Sequence, residues 1–438
     1  VNILIVGCGA REHAMVAALN RSPQRPHLFC CGKITNPGIK EWVDGYALLD
    51  ITDVLAVCAQ AKQWQIDLAI IGPEAPLEKG LADALWDAGI PTIGPKQQSA
   101  QIETSKAFAR ELMQAHAIAG LPAYQSFNSM DGVDAFLHAL GEGHYVVKAN
   151  GLMGGKGVKV AGDHLQSFDE ALAFCEEILA AGQTFIIEQK LVGQEFSFMA
   201  FCDGETMVPM PLVQDHKRAF INDEGPNTGG MGSYSCADHR LPFLTQQDVE
   251  DAWQINQAVF HALMQQTQQP YIGILYGSFI ATATGIYVIE FNARFGDPES
   301  LNVLTILTSD FAALCQAMVT KQLAHLPVTF AKQATVCKYV VPQGYPDQPL
   351  MNEVIDIAAV KNKACLYLAS VDAKAGKLLA AGSRTAAYVG VDAQMAVAEA
   401  IAEREVCAIA GPLFHREDIG TKQLIQRRIE SMQRLRTA

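Results

Sequence analysis

The chain is short of charge. Asp, Glu, Lys and Arg make up 18% of its 438 residues, below the ~25% usual for soluble domains. With 50% apolar residues, that scarcity excludes disorder as the main state, because disordered chains are polar and bury little. Positive charge is scarcest: 33 Lys and Arg stand against 46 Asp and Glu, a net charge of −13. An extended basic face for nucleic acid or an anionic membrane is therefore excluded. A small anion that sees only its own pocket is not. No apolar run reaches the ~18 residues of a membrane-spanning helix. The eleven cysteines contain no Cys-x-x-Cys pair, so free thiols in a reducing cytoplasm are expected. There is no internal repeat and no low-complexity segment. The opening run 2–6 lacks the basic flank of a signal peptide, and Arg11, Glu12 and His13 follow at once, so it reads as a first strand.

At ~150 residues per domain the length suggests about three domains. The first hundred residues alternate apolar strands (2–6, 27–31, 68–71, 91–93) with helical patterns (10–20, 54–64, 77–88). This rhythm predicts an open parallel α/β sheet whose strand ends, 7–13, 72–74 and 94–95, share one ligand-binding rim. From about residue 104 the texture becomes α+β. A helix at 106–115 is followed by strands at 145–149, 158–161, 185–188, 195–202 and 206–210, a hairpin at 273–291, and helices at 301–307 and 311–321. A third region past 326 carries strands at 334–341, 364–371 and 385–389, a helix at 393–403 and a basic, helical tail at 423–436 that reads as solvated. The expected units are 1–103, 104–328 and 329–438.

Four clusters could carry chemistry. Gly7-Cys8-Gly9-Ala10-Arg11-Glu12 is not a dinucleotide fingerprint: Glu12 replaces the third glycine, and strand 27–31 ends without a ribose-binding acid. A glycine turn before a helix remains a possible anion site, with Arg11 and His13 beside it. Asn150-Gly151-Leu152-Met153-Gly154-Gly155-Lys156-Gly157 fails as a P-loop, since Gly157 replaces the hydroxyl residue and a strand follows. A glycine-rich hairpin with Lys148 and Lys156 can still cover a triphosphate. Gln214-Asp215-His216-Lys217-Arg218 precedes a glycine-rich stretch containing Asn227, Thr228 and Gly229, which reads as backbone shaped around a ligand. In Glu290-Phe291-Asn292-Ala293-Arg294, alternation puts Glu290, Asn292 and Arg294 on one face. A carboxylate and an amide oxygen are hard ligands for Mg²⁺, and Arg294 suits an oxyanion.

Together these motifs resemble the ATP-grasp ligases, and their order is similar to the phosphoribosylamine–glycine ligase family. Val6-Gly7, Arg11-Glu12-His13-Ala14, Gly72-Pro73-Glu74-Ala75-Pro76-Leu77, Ser105-Lys106-Ala107-Phe108 and the clusters above carry the resemblance. It implies a central ATP-grasp domain with a lid subdomain at about 122–191, and a C-terminal α+β domain. It implies ATP-dependent ligation of glycine to 5-phosphoribosylamine through a glycyl phosphate, with Mg²⁺ or Mn²⁺, in a monomer or homodimer. Lys106, Lys148, Gly154, Gly155, Lys156 and Gly157 would hold ATP phosphates, with Glu188 and Leu191 along the adenine and Glu195 at the ribose. Glu290 and Asn292 would bind metal. Arg294, Lys217 and Asp215 would be catalytic. Arg11, His13, Glu74, His216, Asn227, Thr228 and Gly229 would contact substrates. The chain departs from the family at Ala10, Asn36, Asn150 and Tyr367-Leu368-Ala369-Ser370. A ligase for another acid or amine, or a non-catalytic nucleotide binder, fits the same motifs.

Overall fold

The computed structural model describes residues 1–151 and 157–437. Strands β1 (Asn2–Val6), β2 (His27–Gly32), β3 (Gly45–Leu48), β4 (Leu68–Ile71) and β5 (Thr92–Ile93) form a parallel sheet in the order β3-β2-β1-β4-β5. Ile3 to Val6 and Leu68 to Ile71 are buried throughout, as central strands covered on both faces must be. Two details differ from the pattern read in the sequence. β3 is a short edge strand, mostly half-buried, whose apolar run 46–49 has no alternation to mark it as a strand. The single helix expected at 77–88 is two helices, Glu74–Glu78 and Leu81–Asp87, because Gly80 takes a left-handed conformation with φ of 80° between them.

The next unit is a small antiparallel sheet of β6 (Tyr124–Phe127), β7 (Tyr145–Ala149), β8 (Val158–Val160) and β9 (Phe185–Gln189), ordered β6-β9-β7-β8. Helices Val133–Leu140 and Phe168–Ala180 supply Leu137, Phe174 and Ile178 to a core that also holds Phe127, Tyr145 and Phe185. This core is separate from the main one. A larger antiparallel sheet follows, in which Gln194–Asp203 pairs with Ile272–Ala281 and that strand pairs with Ile286–Asn292. The helix Gln246–Thr267 packs against it.

A third sheet runs Gln214–Asp215, Gly232–Ser235, Ala334–Pro342, Ala386–Asp392, Leu366–Leu368. Its strands come from both sides of residue 329, so the central and C-terminal regions share one hydrogen-bonded sheet. The expected strand at 364–371 is divided. Leu366–Leu368 stays in this sheet, whereas Val371–Lys374 pairs with Lys377–Ala380 in another. The tail helix Lys422–Thr437 is docked instead of solvated. Leu424 and Met432 are buried, Arg436 grips Asp248 through two bonds of 2.7 and 2.8 Å, and Arg428 reaches Asp223 at 2.6 Å. Its basic residues thus meet carboxylates of the central region.

Gly232 lies where two strands of the shared sheet approach closely: a β-carbon there would sit 2.2 Å from the Cys337 carbonyl oxygen. Gly232→Ala is expected to destabilise the protein by more than about 2 kcal/mol through overpacking and backbone strain. A drop in the thermal midpoint checks this. An unchanged midpoint would mean the two strands separate at no cost.

Candidate active site

The rim of the first sheet is occupied by the chain itself. Glu12 accepts the Gly9 N–H at 2.7 Å and so caps its own helix, Ala10–Asn20. β-Carbons at Gly7 and Gly72 would collide with this carboxylate at 2.8 and 2.0 Å. The anion position at the helix start is therefore filled by Glu12, which revises the expectation of a phosphate there. Arg11 pairs with Glu12 at 2.7 Å and donates to the Phe295 carbonyl at 3.2 Å. His13 accepts the Leu368 N–H through Nδ1 at 2.9 Å, and burial holds its pKa down at about 4. It is a neutral acceptor, not a cation facing a substrate. Asn36 is fully buried, accepts the Gly38 N–H, and donates to the carbonyls of Cys8 and Leu368 at 2.9 and 2.7 Å. Asn36 and Tyr367-Leu368, two of the departures, thus dock the C-terminal region onto this rim.

The small antiparallel sheet and the central strands meet around Glu188. β7 and β9 pair antiparallel with Val146 opposite Glu188, so Lys148 lies diagonally across on the same face. The Glu188 carboxylate takes Lys148 Nζ and Arg110 Nε, each at 2.5 Å. Arg110 also donates to the Val288 and Ile289 carbonyls at 3.2 and 2.6 Å. Burial alone would raise the Glu188 pKa, but Arg110 and Lys148 outweigh it and hold it at about 2. Glu188 is therefore a buried ionic anchor. Beyond it, the Gln189 and Lys190 amides are bonded to the Ala123 and His144 carbonyls at 2.8 Å, so Leu191 is the first residue of this segment with an amide left for a ligand.

Lys106 opens the helix Lys106–Ala115, whose N-cap Ser105 accepts the Phe108 N–H. Asn150 Oδ1 accepts the Ala107 N–H and the Ser105 hydroxyl at 3.2 Å; this departure acts as a second cap. Lys106 Nζ reaches the Gly151 carbonyl at 3.0 Å and makes no ion pair among the described residues. Gly157 closes the base of the glycine-rich loop by accepting the Ala149 N–H at 2.7 Å. Gly154, Gly155 and Lys156 lie outside the described residues.

Strand Ile286–Asn292 and the turn after it supply the rest. Arg294 is fixed by hydrogen bonds from its terminal nitrogens to Glu103 at 2.7 Å, Asn292 Oδ1 at 3.1 Å and the Phe295 carbonyl at 3.1 Å, and by an ionic contact of 3.4 Å from Nε to Glu74. Glu103 also accepts the Ala293 N–H at 2.8 Å. Burial pushes its pKa up to about 7 despite Arg294. Burial also opposes the charge on Glu74, but Arg294 and Arg11 outweigh it and keep its pKa below the ordinary carboxylate value. Lys217 Nζ lies 3.9 Å from Glu290. Burial would lower the Lys217 pKa, but Asp215 and Glu290 outweigh it and hold it as an ammonium. Burial raises Asp215. It raises Glu299 too, which bonds to Tyr276 and Ser197 at 2.5 and 2.9 Å. Glu195 is exposed at the start of its strand.

The Lys217 carbonyl accepts both the N–H and hydroxyl of Thr228, and Met231 N–H donates to the His216 carbonyl. His216 itself is buried with neither ring nitrogen partnered, and burial, then Arg428 and Arg416, lowers its pKa to about 3. It is neutral and faces the arginine cluster under the tail helix. Asn227 is exposed opposite Arg218 in a short hairpin. Gly229 is held through its carbonyl by Arg384 at 2.9 Å. Lys106, Lys148, Glu188 and Glu290 line one cleft with Glu103 and Arg110, and Arg294, Asn292, Glu74, Lys217 and Asp215 adjoin it through the contacts above. His13, His216 and Asn227 do not reach it. Sequence reasoning missed Glu103, Arg110, Glu299 and Arg384. Of these, Arg110 carried a signal, because it stands one helical turn after Lys106.

Three family models match the chain: Phosphoribosylglycinamide synthetase, N domain, over residues 1–103; its ATP-grasp (A) domain over 104–300; and its C domain over 335–422. Curated relatives include the phosphoribosylamine–glycine ligases of Methanosarcina barkeri, 45% identical over 100% of both chains, and Methanocorpusculum labreanum, 46% identical over 100% of both. Among solved structures, the phosphoribosylamine–glycine ligase of Thermotoga maritima superposes with a TM-score of 0.80 at 24% identity, covering 95% of this chain and 100% of that one. The biotin carboxylase domain of Hydrogenobacter thermophilus 2-oxoglutarate carboxylase, in complex with MgADP, gives 0.71 at 13% identity, covering 99% and 93%. At those identities the structures establish the fold.

Glu188→Gln would leave two buried cations with one neutral partner. It is expected to cost about 3–5 kcal/mol at neutral pH. Because the folded-state pKa is depressed to about 2, the wild-type advantage is full above the ordinary value of about 4.3 and disappears as pH falls toward 2. Denaturant melts of both proteins across that window check it. A gap that does not narrow below pH 4 would disprove the assignment.

Proposed function

The chain belongs to the phosphoribosylamine–glycine ligase family, and from that premise we propose how its cleft carries out the family's reaction. It is an ATP-dependent ligase that joins glycine to 5-phosphoribosylamine in purine biosynthesis, giving glycinamide ribonucleotide, ADP and phosphate. The observation that carries this reading is the convergence of Lys106 and Lys148 on the strand that presents Glu290 and Asn292 and leads to Arg294.

A carboxylate is a poor electrophile, so the γ-phosphoryl group is first moved onto glycine and the amine then displaces it. Two anions must meet for the first step, which requires cations placed in advance. Lys106 and Lys148 hold the phosphates on one side. Arg294, fixed by Glu103 and Glu74, presents its guanidinium to the acyl phosphate without having to be ordered. The Leu191 amide meets the adenine edge and Glu195 the ribose hydroxyls. Lys217, Asp215 and the turn at Thr228 and Gly229 line the acceptor side, with Asn227 outside it. Arg11 and Glu74 bring the first sheet to the phosphoribosylamine, while His13 supports the backbone behind these groups through the Leu368 N–H.

Glu290 and Asn292 fit a divalent ion: both offer oxygen donors, and no described hydrogen bond uses the Glu290 carboxylate. When bound, Mg²⁺ or Mn²⁺ would neutralise phosphate charge and template the transfer. The working unit is a monomer or a homodimer. Eleven free thiols fit the cytoplasm, and no helix among the described residues is long and apolar enough to cross a membrane.

ADP release from ATP, Mg²⁺, glycine and freshly generated phosphoribosylamine tests the reading. Release that needs both substrates is expected. Release only with another acid or amine would identify a divergent ligase, and tight ATP binding without turnover for any pair would identify a non-catalytic binder. Glu290→Gln is expected to raise the Mg²⁺ concentration for half-maximal turnover by more than about tenfold, with the thermal midpoint unchanged. An unaltered metal requirement would remove Glu290 from the metal site.

A further inference from the structure

Away from the cleft, helix Met395–Cys407 carries Glu399, Glu403 and Cys407 four residues apart, so all three lie on one face. His415 follows the strand Leu413–Phe414 and turns onto that face. Its Nε2 lies 3.0 Å from Glu403 Oε1, and Cys407 Sγ lies 3.5 Å from the same oxygen. Among the described residues, this is the one trio of His, Cys, Asp or Glu whose ligand atoms all fall within 4.8 Å of one another.

Lys338 determines which oxygen is free. Its ammonium is buried and donates to Glu399 Oε1 at 2.6 Å, Glu403 Oε2 at 2.6 Å and the Glu417 carbonyl at 2.8 Å. Three partners use all three of its hydrogens. Glu403 Oε2 is therefore committed, and Oε1 is left facing His415 and Cys407. One ammonium also sits between two carboxylates, so the pocket keeps a net negative charge. The spacings of 3.0 and 3.5 Å are close to the edge of a tetrahedron built on bonds of ~2.0–2.3 Å, roughly 3.4 Å.

We propose that Glu403, Cys407 and His415 form a second metal site that takes Zn²⁺, with a solvent molecule in the fourth position. A thiolate, an imidazole and a single carboxylate oxygen form a borderline-soft donor set. It selects zinc over the hard Mg²⁺ suited to Glu290 and Asn292. Cys407 is exposed, which leaves the open position toward water. Without an ion, the Cys407 thiol directs its S–H at Glu403 Oε1, 3.5 Å away. Binding forms the Zn–S bond as that proton leaves to solvent. The ion would fasten the helix to residues 415–418. There Arg416, fully buried, bonds to Asp223, Asp418 and the Arg218 carbonyl, next to Lys217. The ion would tether helix Met395–Cys407 to the segment 415–418, and Arg416 in turn joins that segment to Asp223 and the Arg218 carbonyl.

The test uses the full chain, stripped with chelator and titrated with Co²⁺ as a zinc surrogate in excess Mg²⁺. One equivalent is expected to give a near-ultraviolet thiolate-to-cobalt band that Zn²⁺ displaces, and Zn²⁺ is expected to raise the thermal midpoint. Cys407→Ser should abolish the band while ligase turnover persists, His415→Gln should weaken binding by more than about tenfold, and Glu290→Gln should leave the band intact. No band, a band that survives Cys407→Ser, or unaltered affinity in His415→Gln would overturn the proposal and leave the Glu403–His415 ion pair as a metal-free contact.

Discussion

Arg294 is the point on which the site depends. A buried guanidinium is costly unless its charge is answered, and here two carboxylates answer it, Glu103 at 2.7 Å and Glu74 at 3.4 Å. Both acids belong to helices that follow the strands of the first sheet, whereas Arg294 follows the last strand of the central sheet. The arginine is therefore in place only when the two sheets have docked. Arg11, reaching the Phe295 carbonyl from the first helix, closes the same junction from the other side.

A second theme is charge balance. A chain with so few basic residues could be expected to leave them bare in a phosphate-binding cleft. Instead Lys148 has Glu188, Lys217 has Glu290, Arg218 has Asp163, and Arg294 has Glu74 and Glu103. Lys106 alone among the described site cations has no ion pair and rests on a carbonyl instead. Pairing keeps the cations oriented without stored repulsion, which suits a site that must act on transient negative charge. In the proposed reaction phosphate oxygens would enter a framework already fixed, and the half-exposed Lys217–Glu290 contact, at 3.9 Å, is the loosest of these pairs.

The departures from the family pattern prove to be internal fittings. Asn36 and Tyr367-Leu368 engage each other and His13 across the junction of the first and last regions. Asn150 caps the Lys106 helix through its amide oxygen, a task that needs an acceptor and not a charge. None of the three lines the cleft, so they leave its charged groups intact.

The sequence by itself determined the parallel first sheet, through its uninterrupted apolar strands, and the alternation that puts Glu290, Asn292 and Arg294 on one face. It also marked the two lysines and the glycine-rich turns, because backbone geometry demands those residue types locally. Partnership was decided only in three dimensions. Nothing near Glu103 in the chain announces Arg294, some 190 positions away, and nothing near His415 announces Glu403 and Cys407 on a helix before it. His13 and His216 looked like ligands in the sequence, yet burial makes them neutral, which no local pattern encodes. The edge strand β3 and the docked tail escaped for the same reason. Periodicity reports which face of an element is apolar, and only packing decides what that face, or a charge beside it, will meet.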